Sequence, residues 1–210
     1  MAMRQPMETR RMDTRSCRSA VLAALLFGLV APSAAQSIVV LGSGEDARRC
    51  SQAAEIAATV RIASDDDLKH CDLALELAAL RPRDRAGTLV NRGILQSVLG
   101  DNRAAVADYD RALALRPELP EAYVGRGNVR FIERDIPGAI AEYDRALALG
   151  TSRRHVVLLN RGMALEAKAD LDAAERDYRA ALELSPGWPP AQSRLDRVLA
   201  RRKAVTPPPP

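Results

Sequence analysis

The fold is decided by residues 85–117, RAGTLVNRGILQSVLGDNRAAVADYDRALALRP, because the chain repeats this pattern twice more. The second copy is PEAYVGRGNVRFIERDIPGAIAEYDRALALG at 120–150, and the third is VVLLNRGMALEAKADLDAAERDYRAALELSP at 156–186. Equivalent residues are separated by 34 residues and then by 35. This period is typical of helical repeat arrays, in which each repeat buries its apolar side against its neighbours.

The same residue recurs at five equivalent positions in all three copies. They are a glycine, a turn aspartate, an alanine, a tyrosine and a second alanine: Gly93, Gly127 and Gly162; Asp101, Asp135 and Asp170; Ala105, Ala139 and Ala174; Tyr109, Tyr143 and Tyr178; Ala112, Ala146 and Ala181. Each copy divides at the aspartate into two amphipathic stretches of about 14 residues. Pro117 and Pro186 are expected to end the second stretch, since proline cannot continue a helix. The pattern therefore predicts an all-α fold of stacked helical hairpins.

These glycine, alanine, tyrosine and proline columns closely resemble the tetratricopeptide repeat (TPR) family, in a bacterial secreted or periplasmic form. The resemblance implies a right-handed α-solenoid with about three full repeats. Its expected parts are a linker at 36–43, a degenerate N-terminal hairpin at 44–82, repeats within 83–185 (about 86–119, 120–154 and 155–188), a C-terminal capping helix at 189–203 and a disordered proline-rich tail at 204–210.

One departure from the family is consistent: arginine stands where a large apolar residue is usual. Sixteen residues after each of these arginines is an acidic residue, at a matching height of the antiparallel hairpin. We predict a partly buried ion pair within each repeat: Arg92 with Asp108, Arg126 with Glu142, and Arg161 with Asp177. The alternative is coincidence on a charged surface.

The first 35 residues have the pattern of a secretory signal peptide. Five arginines precede the apolar run 20–31, and the small residues Ser33 and Ala35 suit cleavage after Ala35. A membrane anchor is the alternative, but twelve helical residues span only about 18 Å, against about 30 Å of hydrocarbon. The true start is Met1 or Met12. The sequence thus predicts a periplasmic or secreted protein with no stable membrane span after cleavage.

Removal of the signal also removes the apparent basicity of the chain. Residues 1–35 hold five of the 31 basic and two of the 27 acidic residues, so the remainder carries 26 and 25, a net charge of +1. This balance does not favour nucleic-acid binding. The expected partner is therefore a protein or peptide and not a nucleic acid.

Two cysteines remain after cleavage, Cys50 and Cys71, on opposite arms of the degenerate hairpin. If the turn is centred near residue 61, they face each other, and disulfides persist in an oxidising compartment. We predict that they form a disulfide, with free thiols as the alternative. A metal site is not expected, because two cysteines without a nearby histidine pair do not supply four ligands.

Family analogy places the partner-binding surface on the first helices of the repeats, along the concave face. The residues expected there are Asn91, Ile94, Asn128, Phe131, Asn160, Met163 and Arg194. Asparagine both donates to and accepts from a peptide backbone, although the apolar members could instead pack against neighbouring helices. Some relatives hold a terminal carboxylate with five polar residues, of which Asn128, Asn160 and Arg194 are present here. Val124 and Pro190 replace the two lysines, which argues against that arrangement.

No pattern for catalysis is recognisable, and we expect no catalytic residues, cofactor or metal. The two histidines fall in separate hairpins, and no glycine-rich phosphate loop is present. We predict a non-catalytic scaffold or adaptor of the bacterial cell envelope. An accessory or regulatory subunit of an envelope enzyme complex is the alternative, and a small enzyme on a helical-repeat scaffold is a remote one.

Overall fold

The computed structural model describes residues 44–77 and 79–205, and over these ranges it consists of nine α-helices. They are α1 (Glu45–Val60), α2 (Asp65–Leu77), α3 (Pro82–Leu99), α4 (Asn102–Leu115), α5 (Pro120–Ile132), α6 (Ile136–Leu149), α7 (Arg154–Ala167), α8 (Leu171–Leu184) and α9 (Pro189–Val205). The signal peptide, its cleavage site and the linker lie outside the described residues. So does the tail from residue 206, while residues 204 and 205 extend α9.

The helices form four antiparallel hairpins, α1–α2, α3–α4, α5–α6 and α7–α8, followed by the single helix α9. The second helix of each hairpin packs on the first helix of the next element along the chain. The predicted all-α solenoid is confirmed. None of the described helices is both long enough and apolar enough to cross a membrane.

An aspartate begins the second helix of every full repeat. The side chains of Asp101, Asp135 and Asp170 accept hydrogen bonds at 3.0–3.1 Å from backbone N–H groups three residues later. These bonds satisfy donors that a helix start leaves unpaired. The aspartate column therefore sets where each hairpin turns.

A glycine on the first helix and a tyrosine on the second set the distance between the two arms of each full repeat. The tyrosine rings are almost fully buried. A Cβ added at any of the three glycines would lie 2.6–2.7 Å from a ring carbon, closer than van der Waals contact allows. The pairs are Gly93 with Tyr109, Gly127 with Tyr143, and Gly162 with Tyr178.

In the first hairpin a disulfide takes the place of the glycine–tyrosine contact. The sulfur atoms of Cys50 and Cys71 are bonded at 2.11 Å, and both residues are fully buried. The cysteines are separated by 21 residues in the sequence, against 16 for each glycine–tyrosine pair, and the loop 61–64 between α1 and α2 is one or two residues longer than the turns of the full repeats. The predicted disulfide is thus present and joins the arms of a hairpin that lacks the tyrosine.

Candidate protein-binding face

The first helices of successive hairpins form one layer of the molecule. Contacts run from α1 to α3, α3 to α5, α5 to α7 and α7 to α9. The second helices α2, α4, α6 and α8 make no comparable contacts with one another within the described residues. The layer of first helices is therefore the more tightly packed side, as expected for the inner side of a curved array.

The seven predicted binding residues all lie on this layer, but most of them are buried. The buried members are Asn91, Ile94, Asn128, Asn160 and Met163. Phe131 is half-buried and packs partly against core residues, and the Arg194 side chain is 14% exposed. Phe131 and Arg194 are the two of these residues whose side chains are partly exposed. Partner binding at the seven positions stays a prediction.

Asn128 has a structural role that the sequence does not predict. Its Oδ1 accepts a hydrogen bond from the Tyr143 hydroxyl at 2.9 Å and another from Asn160 Nδ2 at 3.1 Å. These bonds join α5 to its partner helix α6 and to α7 in the next repeat. Part of the asparagine ladder therefore holds the repeats together.

At the α9 end of the layer, three arginines surround one buried carboxylate. We call this group, Arg194, Arg197 and Arg201 around Glu166, the α9 arginine cluster. Arg197 donates to the Glu166 carboxylate from Nε at 2.9 Å and from Nη2 at 2.7 Å. Arg201 Nη1 lies at 3.3 Å, Arg194 Nη1 at 3.5 Å, and the Tyr178 hydroxyl donates at 3.0 Å. Three guanidinium groups around one carboxylate leave the cluster with an excess of positive charge.

The pKa values of the cluster reflect this crowding of cations. Burial raises the pKa of Glu166, but hydrogen bonds from Arg197 and Tyr178 and nearby positive charge lower it below its ordinary value overall. Burial, and then the charge of Arg197, lower the pKa of Arg194. Glu166 is therefore held as a carboxylate, and an anionic group from a ligand would relieve repulsion among the arginines.

Of this cluster, sequence reasoning named only Arg194 as a site residue. Arg194, Arg197 and Arg201 are spaced i, i+3 and i+7 on α9, which places them on one helix face. From that spacing, Arg197 and Arg201 could have been predicted to share a helix face with Arg194. Their contact with Glu166 could not be predicted, because it depends on how α9 packs on α7.

The terminal-carboxylate arrangement of some relatives is not assembled at this face. Val124 is fully buried, and Pro190 is exposed at the start of α9, where lysines would be needed. Arg194, the one cation of that set, already lies next to Glu166. The carboxylate in this region is the protein's own.

Each predicted ion pair within a repeat is present and has two hydrogen bonds. In all three, the arginine Nε and Nη2 donate to the two oxygens of one carboxylate at 2.7–3.0 Å. The acceptors Asp108, Glu142 and Asp177 are buried. Paired parallel bonds of this kind are the strongest form of arginine–carboxylate contact.

Each of these arginines also binds an acidic residue of the preceding hairpin, which the sequence analysis missed. The Nη1 atoms of Arg92, Arg126 and Arg161 donate at 2.6–2.7 Å to carboxylates that are about half exposed. The acceptors are Asp72, Asp110 and Asp144 respectively. One arginine thus joins both arms of its own hairpin and the hairpin before it. In the last repeat the equivalent acidic position is Arg179, and α9 has Leu195 where the arginine would be.

The described residues contain no group of three or more His, Cys, Asp or Glu side chains placed to hold a metal ion. His155 packs edge-on against Trp188 with ring centroids 5.0 Å apart, and its pKa is lowered by burial and by the charge of Arg153. His70 belongs to the first hairpin, where its Nδ1 lies 3.3 Å from Asp46 Oδ1. The two histidines therefore lie far apart in the array, and each contacts structural neighbours.

Two segments of the chain match models of the tetratricopeptide repeat: residues 99–132 match a TPR repeat model and residues 156–187 a tetratricopeptide repeat model. A search of curated proteins finds no match to the sequence.

Three solved structures illustrate the shared fold, and two of them are described as TPR structures. The first TPR of Spaghetti (RPAP3), bound to the HSP90 peptide SRMEEVD, is 23% identical, with a TM-score of 0.54 over 57% of this chain and 94% of the other. YrrB, described as a TPR protein with an unusual peptide-binding site, is 25% identical, with a TM-score of 0.52 over 57% and 61%. MamA is 20% identical, with a TM-score of 0.55 over 78% and 88%.

The repeat period, the glycine–tyrosine contacts and the aspartate caps agree with these comparisons: two segments of the chain match tetratricopeptide-repeat models, and the described residues form a helical solenoid with the fold of solved TPR structures.

Proposed function

We propose that this protein is a non-catalytic interaction scaffold of the bacterial cell envelope. It binds a peptide or protein segment along the layer of first helices formed by α3, α5, α7 and α9. The observation that carries the proposal is the α9 arginine cluster at one end of this layer, where three guanidinium groups share one carboxylate. The excess positive charge favours a segment that carries Asp or Glu near one end.

The structural neighbours support the same use of the fold. The Spaghetti (RPAP3) TPR is bound to an HSP90 peptide, and YrrB has a peptide-binding site. The segment 1–35, with its arginines, short apolar run and small residues before Gln36, supports export from the cytoplasm.

The binding proposal is tested by site-specific photo-crosslinking in cells, with benzoylphenylalanine in place of Phe131. The matched control carries the same group in place of Ala107, an exposed residue of the second helix α4. We expect a discrete crosslinked partner from position 131 and none from position 107. Equal products from both positions, or none from position 131, would contradict binding at this face. Asn128 is unsuitable as a test position, because its side chain joins α5 to α6 and α7.

Arg197→Gln tests the charge preference with the same partner. It removes the residue that makes the two shortest contacts to Glu166, and Arg176→Gln, at an exposed position of α8, is the control. We expect Arg197→Gln to weaken binding and to reduce its salt dependence, because fewer charges then act on the acidic segment. Unchanged affinity and salt dependence would exclude the cluster from ligand binding.

Export is tested separately by the mass of the purified protein from a bacterial host. We expect a chain that begins at Gln36 and is recovered from the periplasm. An intact N-terminus in the cytoplasmic fraction would contradict the envelope assignment and leave the binding proposal to its own test.

A further inference from the structure

A cavity of about 480 Å³ opens between α2, α3 and α4, at the junction of the first hairpin and the first full repeat. Its apolar wall is formed by Leu75, Leu89, Ala114 and Leu115, and its rim by Arg85, Arg92 and Arg111. We refer to it as the junction cavity. Its size is within the range of sites that take small ligands or single large side chains.

The junction between the first and second full repeats shows which side chain occupies the equivalent place there. Leu89, Arg92 and Arg111 correspond, 34 residues later, to Tyr123, Arg126 and Arg145. Both guanidinium groups lie over the Tyr123 ring, with their Cζ atoms 5.5 Å and 5.9 Å from the ring centroid. Its hydroxyl donates to the Pro117 carbonyl at 3.1 Å. At this junction an aromatic ring therefore contacts two arginines.

At the first junction the two arginines are present and the ring is absent. None of the residues that line the junction cavity is aromatic. Leu115 is 40% exposed, and the Arg111 side chain is 67% exposed and makes a long contact of 3.5 Å with Asp108. Apolar surface and a weakly held guanidinium group therefore face the space that Tyr123 fills one repeat later.

The junction cavity is lined by the side of α3 that faces α2 and α4. Arg85, Leu89 and Arg92 are spaced i, i+4 and i+7 on α3, which gives one face of that helix. At 3.6 residues per turn, Ile94 points to the opposite side of α3, and Asn91 points about 130° away from the cavity-lining face. A ligand in the junction cavity would leave the other face of α3 uncovered.

We propose that the junction cavity is a docking site for an aromatic side chain of a partner protein, held between the guanidinium groups of Arg92 and Arg111. The negative face of the ring complements the cationic rim, and the leucines contact its edge. Buried aromatic anchors of this kind dominate the affinity of many protein interfaces. The site does not depend on the binding face proposed above.

The test uses the full chain with ¹³C-labelled leucine methyl groups, titrated with N-acetyl-L-tyrosinamide and, as the control, N-acetyl-L-leucinamide. We expect saturable shifts at Leu75, Leu89 and Leu115 with the tyrosine probe, and clearly weaker binding of the leucine probe. Arg111→Gln should weaken the tyrosine probe about two- to fivefold, the range given by one exposed cation–π contact. Shifts spread over all leucines, or equal binding of both probes, would overturn the proposal.

Leu89→Tyr supplies a second, independent measurement, because it places a ring where Tyr123 stands one repeat later. We expect the melting temperature to stay the same or rise and the tyrosine probe to lose at least about tenfold in affinity. Leu158→Tyr, at the equivalent position of the third repeat, is the control. Leu158 is not among the residues that line the junction cavity, so this variant should leave the affinity for the tyrosine probe unchanged. Undiminished probe binding by Leu89→Tyr would refute the site, and if that variant does not fold, the Arg111→Gln titration decides.

Discussion

Removal of Arg161 is the sharpest test of what holds adjacent repeats together. Arg161 donates two hydrogen bonds to Asp177 within its repeat and one to Asp144 of the repeat before. The Asp177 side chain is 7% exposed and that of Asp144 is 54% exposed. The two contacts therefore differ in burial although one arginine makes both.

The expected costs follow from that difference. Breaking a buried pair by removing one partner costs about 3–5 kcal/mol, and we place Arg161→Met near about 3 because the Arg161 side chain is 26% exposed. Asp144→Asn should cost no more than about 1 kcal/mol, as for surface pairs. At a urea m value of about 2 kcal/mol/M, Arg161→Met lowers the unfolding midpoint by about 1.5 M.

The assay is urea unfolding followed by circular dichroism, with the disulfide intact and equal m values required. A double-mutant cycle of Arg161→Met with Asp177→Leu should give a coupling of about 2 kcal/mol, since the double variant leaves no buried charge unpaired. Equal costs for Asp144→Asn and Arg161→Met, or a coupling near zero, would refute the reasoning.

Three further variants test other features. Cys50→Ala with Cys71→Ala should lower the free energy of unfolding by roughly 3 kcal/mol through lost loop closure, measured against the oxidised parent; a difference below about 1 kcal/mol would contradict this. Ala169 has φ 67° in the α7–α8 turn, and Ala169→Gly should stabilise by about 1 kcal/mol, because glycine adopts this conformation without strain; a lower melting temperature would argue against it. Glu166 has a pKa lowered below the unfolded value of 4.5, so it stabilises the fold above that pH and this contribution is lost as the pH falls through its folded pKa. Glu166→Gln should therefore flatten the loss of stability below about pH 5, while the exposed control Glu183→Gln leaves that acid limb unchanged; identical limbs for the two variants would contradict the assignment.

The helices and their turns could be predicted because the signals that fix them are local. Gly93 and Tyr109 lie on one hairpin, and so do Arg92 and Asp108, so their sequence spacing alone brings them together. Cys50 and Cys71 needed only the position of one turn. Within a hairpin, period and spacing were enough.

The contacts between hairpins could not be predicted in this way. Asp110 lies next to Arg126 only because of the angle at which α4 packs on α5. The burial of Asn128 and Asn160 depends on how closely α5 and α7 approach, which no local pattern states. For the candidate site, the helix on which each binding residue lies could be predicted from the sequence. Whether that residue is exposed, and which side chain it contacts, depends on tertiary packing.

The arginine that binds the hairpin before it has a consequence for how the array can change in length. Each interface between two hairpins contains the same ion pair, formed by an aspartate of one hairpin and the arginine of the next. Excision of the second repeat would place Arg161 against Asp110, and duplication of it would create one more identical joint. Rearranged repeats would therefore keep the same aspartate–arginine contact between hairpins. The third repeat has Arg179 in place of the aspartate, so it cannot make this contact with an arginine that follows it.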